Sequence, residues 1–223
     1  MIIGLVNSKK WFRIERLKEN LSEHTIFEIS NKKTLNLSYL KKISCDIIFF
    51  VHWHWLVPEK IISKYKCILF HTAPLPIGRG GSPIQNLILE GYKNSPVYAL
   101  KMVKELDCGP LLVKKNISLK GNLSDIFNRV EDAIILLIHK IVSKNIKPKK
   151  QKGQIKKFFR LSESDNEILN PLSLSQFYDR IRMLDAPDYP NAYIRYGDKI
   201  IFFKNANYKK GKLTCEVEIK SEG

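Results

Sequence analysis

Short, continuous apolar runs recur along the chain at 2–7, 26–29, 46–51 and 67–70, each followed by polar residues or turn formers. Between them, Trp11, Ile14, Leu17 and Leu21 stand at helical spacing, and 37–43 carries a second, shorter helical pattern. Runs that are apolar on both faces and separated by helices predict strands of a parallel sheet covered on both sides. The expected fold class is therefore α/β: a Rossmann-like open, mostly parallel sheet with helices on both faces.

Farther along, 97–103 alternates and predicts a strand, 106–109 a tight turn, and 111–117 the returning neighbour. From Asn122 a helix is predicted to about Ser143, apolar at Ile126, Val130, Ile134, Leu137, Ile138 and Ile141, with His139 on its surface. The polar, lysine-rich stretch 145–157 reads as a solvated connection and sets a boundary. Residues 1–150 are expected to form an N-terminal domain, and 151–223 a small C-terminal α+β appendage. Within the appendage, Ser173 and Gln176 cap a helix bearing Phe177, Tyr178, Ile181 and Leu184. A hairpin follows through the Gly197-Asp198 turn, with 213–219 as a third strand.

Composition narrows the class. The chain has 223 residues, 44% of them hydrophobic, enough for a substantial core. It contains no apolar stretch long enough to span a bilayer, and its first residues lack a basic segment and a long apolar core, so a cytoplasmic location without membrane insertion is expected. Cys45, Cys67, Cys108 and Cys215 are widely spaced, which suggests reduced thiols rather than a zinc site or a disulfide framework. The net charge of +16 raises the question of nucleic acid. The cations are mostly lysines scattered in pairs along a chain also rich in Ile and Asn, so nucleic acid is disfavoured. A diffuse field attracting small anionic substrates is expected instead. Gly4 stands alone after the first strand, without a G-x-G-x-x-G pattern, which disfavours NAD.

The stretch from His71 to Gln85 holds the densest candidate chemistry. His71 ends the apolar run 67–70, which puts a titratable ring at the carboxyl end of a strand. Pro74, Pro76, Gly78, Gly80 and Gly81 then predict an irregular loop, and Ser82-Pro83-Ile84-Gln85 a capping box that opens a helix ending near Gly91. Taken alone, a histidine in such a place also reads as an ordinary hydrogen-bonded residue, and Asp107 as a turn residue bonding its own backbone. A second candidate region is His52-Trp53-His54-Trp55-Leu56-Val57-Pro58, at the carboxyl end of the run 46–51, where ligand sites of parallel sheets lie. Packing on Ile61 and Ile62 is the plain alternative. No Asp, Glu or Cys completes a metal set around the two histidines, so no metal is expected.

Phe70-His71, Leu75-Pro76, Arg79-Gly80, Pro83-Ile84-Gln85 and Leu106-Asp107-Cys108-Gly109 together resemble, in that order, the signature of the folate-dependent formyltransferase family. The stretch from His71 to Ile88 is similar to a subgroup that acts on nucleotide-linked amino sugars of the pseudaminic acid type. Arg160 to Asp165, Tyr178 to Ala186 and Tyr189 to Ala192 resemble the C-terminal part of sugar N-formyltransferases. One departure stands out: the family carries Asn two residues before its His, and this chain has Leu69.

The resemblance implies N10-formyltetrahydrofolate as co-substrate and formyl transfer to a primary amine through a tetrahedral intermediate. Such a reaction needs a dry site, a donor at the oxyanion and a group that moves the amine's proton. It makes His71, Asp107 and His54 the catalytic candidates, with His52, Thr72 or a backbone N–H as further substitutes for the missing Asn. It places Trp55, Leu56, Val57, Arg79, Leu106 and Asp107 at the folate, and Gly80, Gly81, Ser82, Arg182 and Tyr189 at the acceptor. The favoured acceptor is a UDP-linked 4-amino-4,6-dideoxy sugar. A methionyl-tRNA acceptor is the alternative, disfavoured because a tail of about seventy residues looks too small for a tRNA-binding domain. A folate- or nucleotide-sugar-binding module that has lost catalysis is the other, motivated by Leu69. A homodimer is compatible with all of these.

Overall fold

In the computed structural model, which describes residues 1–221, the early apolar runs become β1 (Ile2–Asn7), β2 (Thr25–Ile29), β3 (Ile47–Val51) and β4 (Lys66–His71). They lie parallel in the order β2-β1-β3-β4. Beyond β4 the sheet turns antiparallel through β6 (Asn94–Lys101) and β7 (Leu111–Ser118), so a mixed six-stranded sheet carries the fold. All of β3 is buried, as expected of a central strand with helices on both faces. The crossovers are α1 (Ile14–Asn20), α2 (Leu37–Lys42) and the single turn α3 (Glu59–Ile62). Strand β6 starts and ends earlier than its alternation predicts, leaving Met102 and Val103 in the connection to the Asp107 turn.

Helix α5 (Leu123–Ser143) opens on a capping box, with Asn122 accepting from the Asp125 N–H and the Asp125 carboxylate accepting from the Asn122 N–H. Its apolar stripe is the one read from the sequence, and each fully buried Leu or Ile contributes on the order of 1.5–3 kcal/mol. Glu131 interrupts the stripe with a fully buried carboxylate. Burial alone would raise its pKa, but hydrogen bonds from the Arg13 side chain and backbone and from Arg16 outweigh that and hold it below the usual range. Both arginines are partly exposed, and together they clamp the entry to α1 against α5 through this one carboxylate.

Three expectations about the middle of the chain need correction. The Gly/Pro loop after His71 is partly regular: Ile77–Gly80 forms β5, paired in parallel with β8 (Lys156–Phe158). The basic stretch 145–157 is therefore not a free connection, since it also bridges Leu111 through Lys149. Ser82 does precede a helix, α4 (Pro83–Leu89), but it lies in the left-handed region at φ +45° and caps nothing. Its Oγ instead accepts from the Leu161 N–H, and the Gln85 amide donates to the Met183 carbonyl. A short 3-10 turn, Glu163–Asn166, precedes α6 (Leu174–Arg182), where the Ser173–Gln176 capping box does form. Strands β9 (Ala192–Tyr196), β10 (Lys199–Lys209) and β11 (Lys212–Ser221) close the chain as an antiparallel sheet. Ile181, Met183, Ala192 and Phe203 join the same apolar core as β1, β3 and α5.

Candidate functional site

Parallel strands deliver β1, β3 and β4 to one edge of the sheet with their carboxyl ends together. Strand β4 leaves His71 there, 7% exposed. Its Nε2 lies 2.7 Å from the Gly78 carbonyl oxygen, an acceptor only, so Nε2 carries the proton. In the neutral ring the lone pair is then on Nδ1, which lies 3.6 Å from Asp107 Oδ2. Asp107 is 6% exposed, sits in the turn before β7 at φ +54°, and accepts from the Gly80 N–H at 3.0 Å. The site thus holds a base nitrogen beside a buried carboxylate, with a backbone loop fixing both.

Around this pair, Arg79 donates from Nε and Nη2 to Gln151 Oε1, at 3.0 and 2.7 Å. Gly80 belongs to the β5–β8 pair, and Gly81 donates its N–H to the Phe158 carbonyl. A Cβ on Gly80 would strike the Phe158 carbonyl oxygen, so the close approach of the two strands requires glycine there. Leu106 projects from the Asp107 turn and is two-thirds exposed. Leu69 pairs across the sheet with Phe50 and Leu100, packs partly buried against apolar neighbours, and offers no polar atom.

The loop after β3 forms a second cluster. His52 adopts a left-handed φ of +49°, and its Nε2 lies 3.3 Å from the Tyr189 hydroxyl. Burial, reinforced by the charges of Lys9 and Arg160, lowers its pKa to about 4, so the ring is neutral where it pairs with the Tyr189 hydroxyl. Burial also pushes the Tyr189 hydroxyl up to about 12. Trp11 stacks on Phe127 at 4.7 Å beside them. His54 is exposed, its Nδ1 lies 3.0 Å from Ser8 Oγ, and its ring lies 3.7 Å from that of Trp55. Burial, with Arg160 and Lys9, holds its pKa below the usual histidine value. None of these contacts joins His54 to the His71–Asp107 pair. Trp55 and Val57 are half-buried, Leu56 is exposed, and the buried Trp53 indole N–H has no partner. The loop thus gathers aromatic rings at a strand's carboxyl end, where ligand sites of parallel sheets lie.

Arg182, expected at the acceptor, is 5% exposed and held among residues of the fold. It donates to Asp179 at 2.6 Å and to the carbonyls of Leu119 and Gly121 at 2.6 and 2.9 Å, which is a structural assignment. The residue that sequence reasoning missed is Gln151. It lies in a lysine-rich stretch with no local pattern to mark it, yet it bonds Arg79 and the Asp107 turn together. Among the described residues, no group of three or more His, Cys, Asp or Glu side chains is arranged to hold a metal ion, and no helix is long and apolar enough to cross a membrane.

Residues 10–142, more than half of the chain, match the family model described as formyl transferase. The chain belongs to that family. Residues 163–220 of this formyl transferase match a second model, described as the C-terminal domain of methionyl-tRNA formyltransferase. Methionyl-tRNA formyltransferase of Rickettsia canadensis is 32% identical over 192 residues, which are 83% of this chain and 62% of that relative. The chain thus spans about 62% of the length of the curated relatives it matches. A solved structure titled methionyl-tRNA formyltransferase from Clostridium thermocellum superposes with a TM-score of 0.93 at 35% identity, covering 99% of both chains. A sugar N-formyltransferase from a Shewanella species superposes at 0.69 with 17% identity, which shows a shared fold alone.

These matches correct the expectation of a nucleotide-sugar acceptor. The tail thought too small for a tRNA-type enzyme is the part that matches the C-terminal model of that enzyme, and the structure superposing over 99% of its own length carries the same title. The motif around His71 lies within the segment that matches the formyl transferase model, so it marked the family without selecting the acceptor.

Proposed function

We propose that this chain transfers a formyl group from N10-formyltetrahydrofolate to the α-amine of methionyl-tRNA. The observation that carries the reading is the match of the C-terminal segment to the methionyl-tRNA formyltransferase model, supported by the superposition over nearly the whole of a protein bearing that title. N10-formyltetrahydrofolate is the co-substrate of the formyl transferase family and supplies the one-carbon group, and the loop from Trp53 to Val57 is the surface offered to its ring.

The residues of this chain then do the following. Gly78 holds the His71 ring by Nε2, which leaves the Nδ1 lone pair to take a proton from the attacking amine and return it to N10 of tetrahydrofolate as the bond from N10 to the formyl carbon breaks. Once protonated, Nδ1 faces the Asp107 carboxylate across 3.6 Å, and that carboxylate is itself steadied by the Gly80 N–H. Burial of both side chains keeps bulk water from competing for the proton. The N-terminal part of the chain holds His71 and Asp107, and the C-terminal segment that matches the second model is the part offered to the acceptor, with Lys9 and Arg160 supplying positive charge beside Tyr189.

The test is direct. Purified protein is incubated with N10-formyltetrahydrofolate and methionyl-tRNA, and formylmethionyl-tRNA is measured. The reading predicts formylated product. Folate binding without transfer would instead indicate a binding module in which Leu69 has removed catalysis.

A further inference from the structure

We propose that Gln151 is a positioning residue for the His71–Asp107 pair, clipping the Asp107 turn to the Arg79–Gly80 strand by using both ends of its amide. The proposal rests on the formyl-transfer reading above and adds a residue to its machinery. Leu111 and Lys149 exchange two backbone hydrogen bonds, of 2.7 and 2.8 Å, and this ladder fixes the chain two residues before Gln151. From there Gln151 Nε2 donates to the carbonyls of Asp107 and Gly109, at 2.7 and 2.9 Å. Its Oε1 accepts twice from Arg79. The amide nitrogen thus meets two acceptors and the oxygen meets a cation, which leaves one orientation of the group satisfactory.

Each end of this clip reaches the reacting pair. On one side, Asp107 holds a left-handed backbone that needs support from its surroundings, and its carbonyl is the group Gln151 grips. On the other side, Arg79 is flanked by Gly78, whose carbonyl holds His71 Nε2, and by Gly80, whose N–H holds Asp107 Oδ2. Histidine and carboxylate are therefore both referenced to the segment 78–80. Beside the Asp107 carboxylate's own bond to Gly80, Gln151 ties the backbone of the Asp107 turn to that segment, while touching neither His71 nor the carboxylate itself.

Gln151→Met keeps the length and removes both ends of the amide; Gln151→Ala is the second variant should the first fail to fold. Two measurements are made on the full chain. One is kcat against pH for formyl transfer to methionyl-tRNA. The other needs no substrate: the His71 ring signals are followed by NMR through a pH titration. The expected result is a fall in kcat of about 10- to 100-fold, the range for displacing the support of a reacting group by a fraction of an ångström. The acid limb of the kcat profile should move, the folate KM should change by less than about threefold, and the His71 signals should shift in position and pH response. A variant with wild-type His71 titration, or one whose only change is a lower unfolding temperature, overturns the proposal. If the wild-type chain forms no formylmethionyl-tRNA, the acceptor reading falls, and the His71 titration still decides the role of Gln151.

Discussion

His52 and His71 stand at the carboxyl ends of neighbouring strands, and their surroundings give them different work. His71 keeps a nitrogen lone pair beside a carboxylate, whereas His52 is buried against aromatic rings and bonded to Tyr189. The depressed pKa of His52, about 4, makes a stability prediction. The unfolded chain binds a proton on this ring near pH 6.5 and the folded chain does not, so stability is complete above that pH and is lost as pH falls toward 4. The loss attributable to this ring is about 3 kcal/mol. Asn tolerates the left-handed backbone at this position, so His52→Asn should remove that share of the slope in urea denaturation run between pH 7 and pH 4. An unchanged slope would show that the ring is not held neutral. At this scale the sequence revealed His71 and Asp107 because they sit in an ordered motif. Gln151 was invisible, since its contacts depend on a long-range bridge between Leu111 and Lys149 that no local pattern announces.

Elements show the same division between local and long-range causes. The S-x-x-Q pattern occurs at Ser82 and again at Ser173, and only the second forms a capping box. At Ser173 the side-chain bonds stay local, among Ser173, Ser175 and Gln176. At Ser82 the hydroxyl is taken by Leu161 and Gln85 by Met183, so tertiary contacts override a sound local reading. The buried strands and α5 were legible because their apolar patterns are long and regular, while β5 and β8 were not, being short and built from Gly, Arg and Lys around Phe158. The turn carrying Asp107 is the element on which the site leans most. A Cβ on Gly109 would overlap the Lys101 carbonyl oxygen, so Gly109→Ala must displace the turn. We expect a loss of about 3 kcal/mol in denaturant unfolding together with loss of transfer activity. Wild-type stability in this variant would mean the turn has slack that the structure does not show.

For the whole molecule, the net charge of +16 takes on a meaning that its scattered lysines had concealed. With a tRNA acceptor, a basic surface neutralises phosphates and releases counterions, so affinity falls steeply with salt. Raising salt from about 50 to 200 mM should increase the KM for methionyl-tRNA more than about tenfold. The folate KM should change far less, since a small ligand meets few of these charges. Equal salt dependence for both substrates would argue against a nucleic-acid acceptor. The fold class and the family were readable from buried strands and an ordered motif. The acceptor was not, because the motif around His71 marks the family as a whole, whereas the match that separates its members lies in the C-terminal segment. The central claim is that His71 moves the proton during transfer of a formyl group to methionyl-tRNA. The most direct measurement is the rate of formylmethionyl-tRNA formation by the wild-type chain and by His71→Ala. The account predicts transfer by the wild type and a loss of about 10²- to 10⁴-fold in the variant with the fold intact. Equal rates for the two proteins, or no product from the wild type, would contradict it.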